Sequence, residues 1–200
     1  MSNTKKPGFG SWSINNFTFD YIREILPEGK TILELGSGFG TGELAKHYKM
    51  YSIEDNPEFI GKYDSKYIYA PIRKYGDQDC KVDFSTPPDI PAEESAVRIK
   101  CNQTGVLEPQ SELQFGWYDP DVVKASLPDE YDLILVDGPN GQFGRGGFYK
   151  YLDWFNTDVP IIIDDIGREC EFVMMEKISE KLNIPYIVLP CDTVGVIWKN

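Results

Sequence analysis

Glu34-Leu-Gly36-Ser37-Gly38-Phe-Gly40 sets three glycines at alternate positions behind an acid, and a second acid, Glu54, stands 18 residues after Gly36. Glycine lets a backbone approach a ligand closely and turn through positive φ. An acid at the position of Glu54 can accept hydrogen bonds from both hydroxyls of a ribose, as acids do in doubly wound nucleotide-binding folds. Further along, Asp137 opens Asp137-Gly-Pro-Asn140, and Asp164-Asp165 form a pair. Three carboxylates brought together repel one another unless a cation neutralises them or one keeps its proton. An oxygen-only donor set suits Mg²⁺ or Ca²⁺ rather than zinc. Arg145 is the one charge in Gly141-Gln-Phe-Gly-Arg145-Gly-Gly147. It can bind a carboxylate or phosphate of a substrate in bidentate fashion, or pair with the protein's own acids.

These residues act together only if strands carry them to one edge. The segment 31–35 reads as a strand leading into the glycine turn, with a helix over 41–48. Strands follow over 50–53, so that Glu54 ends the second, and over 67–70, with a helix over 57–63 whose proline lies in the first turn. Segments 132–136 and 160–163 are nearly all apolar, as buried parallel strands are. They would end in Asp137 and in Asp164-Asp165. The spacing of Phe172, Met175, Ile178 and Leu182 predicts a helix over 168–182 facing the sheet. Strands over 186–189 and 194–198 are separated by four residues, too few for a parallel crossover, so they must form an antiparallel hairpin. Before all of these come a polar arm over 1–15 and an amphipathic helix over 17–26.

Residues 73–116 break the rhythm, with Pro87-Pro88, Pro91 and Pro109. They read as an insertion or lid, with 76–114 folding over the carboxyl edge of the sheet to shape an acceptor pocket. The rest reads as one domain spanning 1–200. Trp12 and the pair Trp117-Tyr118 are candidates for aromatic walls or for core.

Lys and Arg total 20 against 32 Asp and Glu, a net charge of −12. Such a chain repels phosphate backbones, which weighs against nucleic acid as a substrate. No run approaches the ~18 apolar residues that would span a bilayer. Four scattered cysteines without a C-x-x-C pair read as free thiols in a reducing compartment, so a cytoplasmic location is expected, with no membrane partner. His47 is the single histidine, which excludes a zinc site built on several imidazoles.

Ile32-Leu-Glu-Leu-Gly-Ser-Gly-Phe-Gly40 resembles motif I of class I S-adenosylmethionine-dependent methyltransferases, and Tyr51-Ser-Ile-Glu-Asp-Asn-Pro-Glu58 resembles their second motif. The resemblance implies an α/β, doubly wound, mostly parallel seven-stranded sheet of order 3-2-1-4-5-7-6, closed by a C-terminal antiparallel hairpin. It implies that Gly36, Ser37, Gly38 and Gly40 wrap the methionine portion of S-adenosylmethionine. Glu34 would lie near the amino group, Glu54 on the ribose and Asp55 beside the adenine. The acid trio resembles the catechol and macrolide-sugar O-methyltransferase branches, which implies Mg²⁺ held by Asp137, Asp164 and Asp165. Catechol enzymes place a lysine base three residues after the first acid; here that residue is Asn140, which argues against a catechol and leaves the base unassigned.

The expected activity is methyl transfer to an oxygen of a small, sugar-like acceptor, with Asp137 and Arg145 at the reacting end. Alternatives are N-methylation of a nucleic acid base or a protein, and a cofactor-binding module without turnover. Asp137-Gly-Pro-Asn140 departs from the Asp/Asn-Pro-Pro-aromatic motif of amino-methylating enzymes. The G-x-G-x-G spacing and the terminal hairpin disfavour a nicotinamide dehydrogenase. For Asp165 a second role is open, as cap of the helix that begins near Gly167. For Arg168 the expected role is pairing with Asp164 or Asp165.

Overall fold

In the computed structural model, residues 14–75, 116–141, 143–191 and 193–199 are described. Five short apolar runs form parallel strands: β1 (Thr31–Leu35), β2 (Lys49–Glu54), β3 (Lys66–Tyr69), β6 (Leu133–Val136) and β7 (Ile161–Asp164). Alternate residues of a strand face opposite sides of its sheet. Leu33, Leu35, Ile134, Val136, Ile161 and Ile163 accordingly face one core, and Ile32, Leu133, Leu135 and Ile162 face the other. With both faces covered, every residue of β6 and β7 is buried, which is why those segments are continuously apolar.

The sheet closes with the hairpin β8 (Tyr186–Val188) and β9 (Val194–Ile197), in which β9 pairs antiparallel with both β7 and β8. The seven strands run in the order β3-β2-β1-β6-β7-β9-β8. Counted within this sheet alone, that is third, second, first, fourth, fifth, seventh, sixth. The chain turns back between β1 and β6, so the carboxyl ends of those two strands flank the switch point where doubly wound sheets bind ligands.

The two missing numbers belong to a separate antiparallel ribbon, β4 (Ile72–Lys74) with β5 (Gly116–Tyr118). This ribbon brackets the irregular stretch; residues 76–115 lie outside the described residues, and with them the expected lid, Cys80 and Cys101. Trp12 and the arm over 1–13 lie outside as well.

Helix α1 (Asn16–Ile25) is capped by the Asn15 side chain, which accepts from Thr18 N at 2.9 Å, and it lays Ile22 onto the second core. Helix α2 (Phe39–Leu44) starts two residues earlier than expected and stops at Leu44, giving way to turns before β2. The helix expected over 57–63 is instead a series of turns. Its backbone makes i to i+3 bonds, Phe59 N to Asn56 O and Ile60 N to Pro57 O, and Gly61 at φ 76° ends any helical continuation. Helix α3 (Pro120–Ser126) was not anticipated: Asp119 caps it by accepting from Asp121 N and Val122 N, and Pro120 occupies its first turn. After a short α4 (Gly147–Lys150), the longest helix, α5 (Glu169–Leu182), packs Met174, Met175 and Ile178 against the first core. No helix among the described residues is long and apolar enough to cross a membrane.

Candidate functional site

The glycine turn leaves β1 at Gly36, whose φ of 94° is left-handed and whose N–H donates to Ile53 O at 2.8 Å. A Cβ here would stand 3.1 Å from Gly138 N and 3.2 Å from Gly138 Cα. The loop after β1 and the loop after β6 therefore touch, backbone against backbone. Only glycine satisfies both the conformation and the contact at Gly36. Gly38 is half-buried at the start of α2, and Gly40 is buried within that helix.

Glu34 is 2% exposed. Its Oε2 accepts from Thr41 Oγ at 2.8 Å and from Ser52 Oγ at 2.9 Å, and Ser52 is its direct neighbour in the β1–β2 register. Thr41 Oγ also accepts from Gly38 N at 2.9 Å, so Glu34 holds the turn from beneath rather than presenting a free carboxylate to the cleft. Burial pushes its carboxyl up to about 8, against the two hydroxyl bonds. Thr41 and Ser52 are site residues that sequence reasoning missed. The spacing of Thr41 three residues after Gly38, where a side chain can reach back to the turn, was the available signal.

Glu54 ends β2, 5% exposed, with Oε1 accepting from Asn56 N at 2.8 Å. Burial raises its pKa, while backbone N–H groups of Asn56, Asp55 and Ser37 oppose the rise. The turn and the acid thus share a wall. Asp55 is half-buried, and burial raises its pKa too. The Ser37 hydroxyl lies 3.0 Å from Tyr67 Oη of β3.

On the other side of the switch point, Asp137, Asp164 and Asp165 converge: one ligand oxygen from each lies within 4.8 Å of the others. Asp164 is buried at the end of β7, and Asp137 and Asp165 are half-buried. Among them lies Arg145, 3% exposed. Its Nη2 donates to Asp165 Oδ2 at 2.7 Å and to Asp137 Oδ1 at 3.3 Å, and its Nη1 to Asp164 O at 2.6 Å and Val136 O at 3.4 Å. One guanidinium ties the ends of β6 and β7 together. Of the two roles open to Arg145, the structure gives the internal one.

Asp165 adopts φ 61°, a left-handed conformation that aspartate tolerates better than most residues. Its carboxylate goes to the arginines, with Arg168 Nη2 also at 2.9 Å, and α5 begins without a side-chain cap. Arg168 pairs as expected; the capping role for Asp165 is replaced by this ion pair. Glu171, 2% exposed in the first turn of α5, stands one turn beyond Arg168 with Oε1 3.9 Å from its Nη1.

Four carboxyls therefore surround two guanidinium groups. Burial pushes Asp137 well above the usual carboxylate range, with Arg145 opposing and Asp164 and Asp165 adding. Burial and then Asp165 push Asp164 up to about 6. Burial raises Glu171 against both arginines.

A divalent ion bonded to Asp165 Oδ2 would share that oxygen with Arg145 Nη2, which already donates to it. An ion ~2.1 Å from Asp165 Oδ2 would lie no more than about 4.8 Å from the Arg145 nitrogen already bonded there.

Tyr118, from β5, completes the junction. Its hydroxyl is fully buried and has no hydrogen-bond partner among the described residues, and a Cβ on Gly138 would clash with it. Glu54 and Asp55 on one side and Asp137 on the other hold the phenol neutral, after burial itself. Trp117 and Tyr118 are both core, 1% and 0% exposed.

The sheet order, the glycine turn at its switch point and the terminal hairpin settle the architecture. The fold is that of the class I methyltransferases. No family model and no curated protein matches the chain. Solved structures similar to it include methyltransferases. A TehB-like SAM-dependent methyltransferase from Corynebacterium glutamicum is 14% identical, covering 92% of this chain and 88% of that one, with a TM-score of 0.44. The MycE methyltransferase of the mycinamycin biosynthetic pathway, in complex with Mg, SAH and mycinamycin VI, is 12% identical, covering 98% of this chain and 52% of its own, with a TM-score of 0.46. The CMeT domain of the citrinin polyketide synthase is 10% identical over 90% of this chain and 48% of that one, with a TM-score of 0.32. The chain spans about half the length of the latter two.

Proposed function

We propose that this chain binds S-adenosylmethionine across the β1–β2 side of the switch point and transfers its methyl group to an oxygen of a small-molecule acceptor held at Asp137. The observation that carries the reading is the backbone contact of Gly36 with Gly138, which sets a nucleotide-type turn and the half-buried Asp137 side by side with no side chain between the two loops. Gly36 and Gly38 would line the methionine portion, and Glu54, already anchored by Asn56 N, would meet the ribose. When bound, the cofactor supplies a methyl group made electrophilic by its sulfonium, and its transfer to the acceptor oxygen returns the carbon–sulfur electron pair to sulfur.

The chain's own residues then have two tasks. Alignment of acceptor with methyl is the larger, because holding two reactants in line removes much of the entropic barrier. Removal of the acceptor proton is the other. Burial raises the pKa of Asp137 above the usual carboxylate range, which makes it a stronger base when ionised. Arg145, bonded to Asp137 at 3.3 Å and fixed by two carbonyls, positions that carboxylate. The net charge of −12 supports a small acceptor over a nucleic acid.

The test is calorimetric titration of the chain with S-adenosylhomocysteine and, separately, with a nicotinamide dinucleotide. Binding of the first alone, weakened roughly tenfold or more in Glu54→Ala by loss of charge-assisted ribose bonds, is the expected result. Binding of the dinucleotide alone refutes the reading.

A further inference from the structure

We infer that Arg145 is the resident cation of the Asp137–Asp164–Asp165 cluster, so that this acid site works without a divalent metal. The inference rests on the reading of this edge as the acceptor site, but ion binding tests it independently of methyl transfer.

Four of the guanidinium's bonds go to the places a bridging ion would serve: carboxylates on the two loops and the carbonyls that end β6 and β7. A planar fork with several donors can meet all four at once, which a lysine cannot do from the same position. Arg145 is nearly fully buried and reaches its place from a loop with glycine on either side, Gly144 at φ 81° and Gly146. Its Nε is buried without a partner, which indicates that the side chain is placed for its Nη groups. A second guanidinium, Arg168, backs Asp165 from α5. The positive charge that the acids need is thus built into the chain, and its place is fixed by two strand ends. Methyl transfer needs no Lewis acid if the acceptor proton can pass to a carboxylate, so the chemistry does not demand an ion either.

The test is a Mn²⁺ titration of the full chain, followed by electron paramagnetic resonance, with and without S-adenosylhomocysteine. No binding is expected below roughly 1 mM, the weak end of the range of dedicated oxygen-ligand sites. Arg145→Gln, which keeps an amide to meet the carbonyls of Val136 and Asp164, frees the carboxylates. It should gain Mn²⁺ affinity by about tenfold or more, and Mg²⁺ should raise its melting temperature but not that of the wild type. Micromolar Mn²⁺ binding by the wild type, lost in Asp165→Asn, overturns the inference. So does a folded Arg145→Gln that binds Mn²⁺ no better than the wild type. If Arg145→Gln does not fold, the wild-type titration still decides. Absence of S-adenosylhomocysteine binding would instead remove the methyltransferase reading, and the Mn²⁺ result would stand apart from it.

Discussion

Replacing Glu34 by Gln keeps the shape of a fully buried side chain and removes its ability to ionise. In the native protein Glu34 is surrounded by strand and turn, with only the hydroxyls of Thr41 and Ser52 on its carboxyl oxygen, and its pKa rises from an ordinary 4.5 to about 8. The sign follows from proton linkage. Below pH 4.5 the group is protonated in folded and unfolded chains alike. Between 4.5 and 8 the unfolded chain releases the proton while the folded chain keeps it, so rising pH favours unfolding. Stability from this group is therefore complete at low pH and lost as pH climbs to about 8. At ~1.4 kcal/mol per pH unit, the full span corresponds to about 5 kcal/mol. Full burial leaves no discount for solvent screening. Glu34→Gln should remove this dependence. Chemical denaturation of both proteins at pH 5 and pH 8 checks it: the variant should gain on the wild type by several kcal/mol between the two, which for 200 residues is on the order of 10 °C in melting temperature. Parallel stability curves from pH 5 to pH 8 would show that Glu34 is ionised in the fold, and the argument from burial would be wrong.

Asp137→Asn should abolish turnover while leaving S-adenosylhomocysteine affinity within about threefold, because the acid faces the acceptor rather than the sulfonium; wild-type activity should rise with pH as the raised Asp137 carboxyl loses its proton, measured as kcat/KM against pH. Tyr118→Phe removes a buried hydroxyl that has no partner among the described residues, so thermal unfolding should show stability unchanged or raised by about 1 kcal/mol. Gly138→Ala should instead cost about 2–3 kcal/mol through overpacking, and Tyr118→Phe should restore only part of it, since the new Cβ would still stand 2.7 Å from Gly36 Cα.

The sheet was legible because its strands are short apolar runs that end in chemistry: β1 in the glycine turn, β2 at Glu54, β6 before Asp137, β7 at Asp164. The hairpin followed from chain length alone, four residues being too few to cross a sheet. Where sequence reasoning failed, local conformation overrode pattern. Phe59 and Ile60 have helical spacing with later residues, yet Gly61 at positive φ lets the chain turn away. Asp119-Pro120 is a capped helix start, but it sits at the end of an irregular stretch and was passed over. The convergence of Asp137, Asp164 and Asp165 was readable from strand order. The partner that neutralises them was not, because nothing in a glycine-rich loop says that its one arginine turns inward. The burial of Glu34 was equally hidden, since an acid beside a nucleotide turn has the same sequence whether it faces the ligand or supports the turn from below.

The β4–β5 ribbon has a consequence for how this chain can change. Lys74 and Gly116 are paired, so the two ends of the stretch between them are held at neighbouring points. Closing a loop whose ends are already held costs entropy only as the logarithm of its length, about 0.6 kcal/mol for each doubling. Insertions and deletions between the two strands therefore add little to the cost of joining them, while Tyr118, on the strand that ends the ribbon, sits against the contact of the loops after β1 and β6. Under the proposed function, such changes in length would fall beside the acceptor site while leaving the sheet that carries it unaltered.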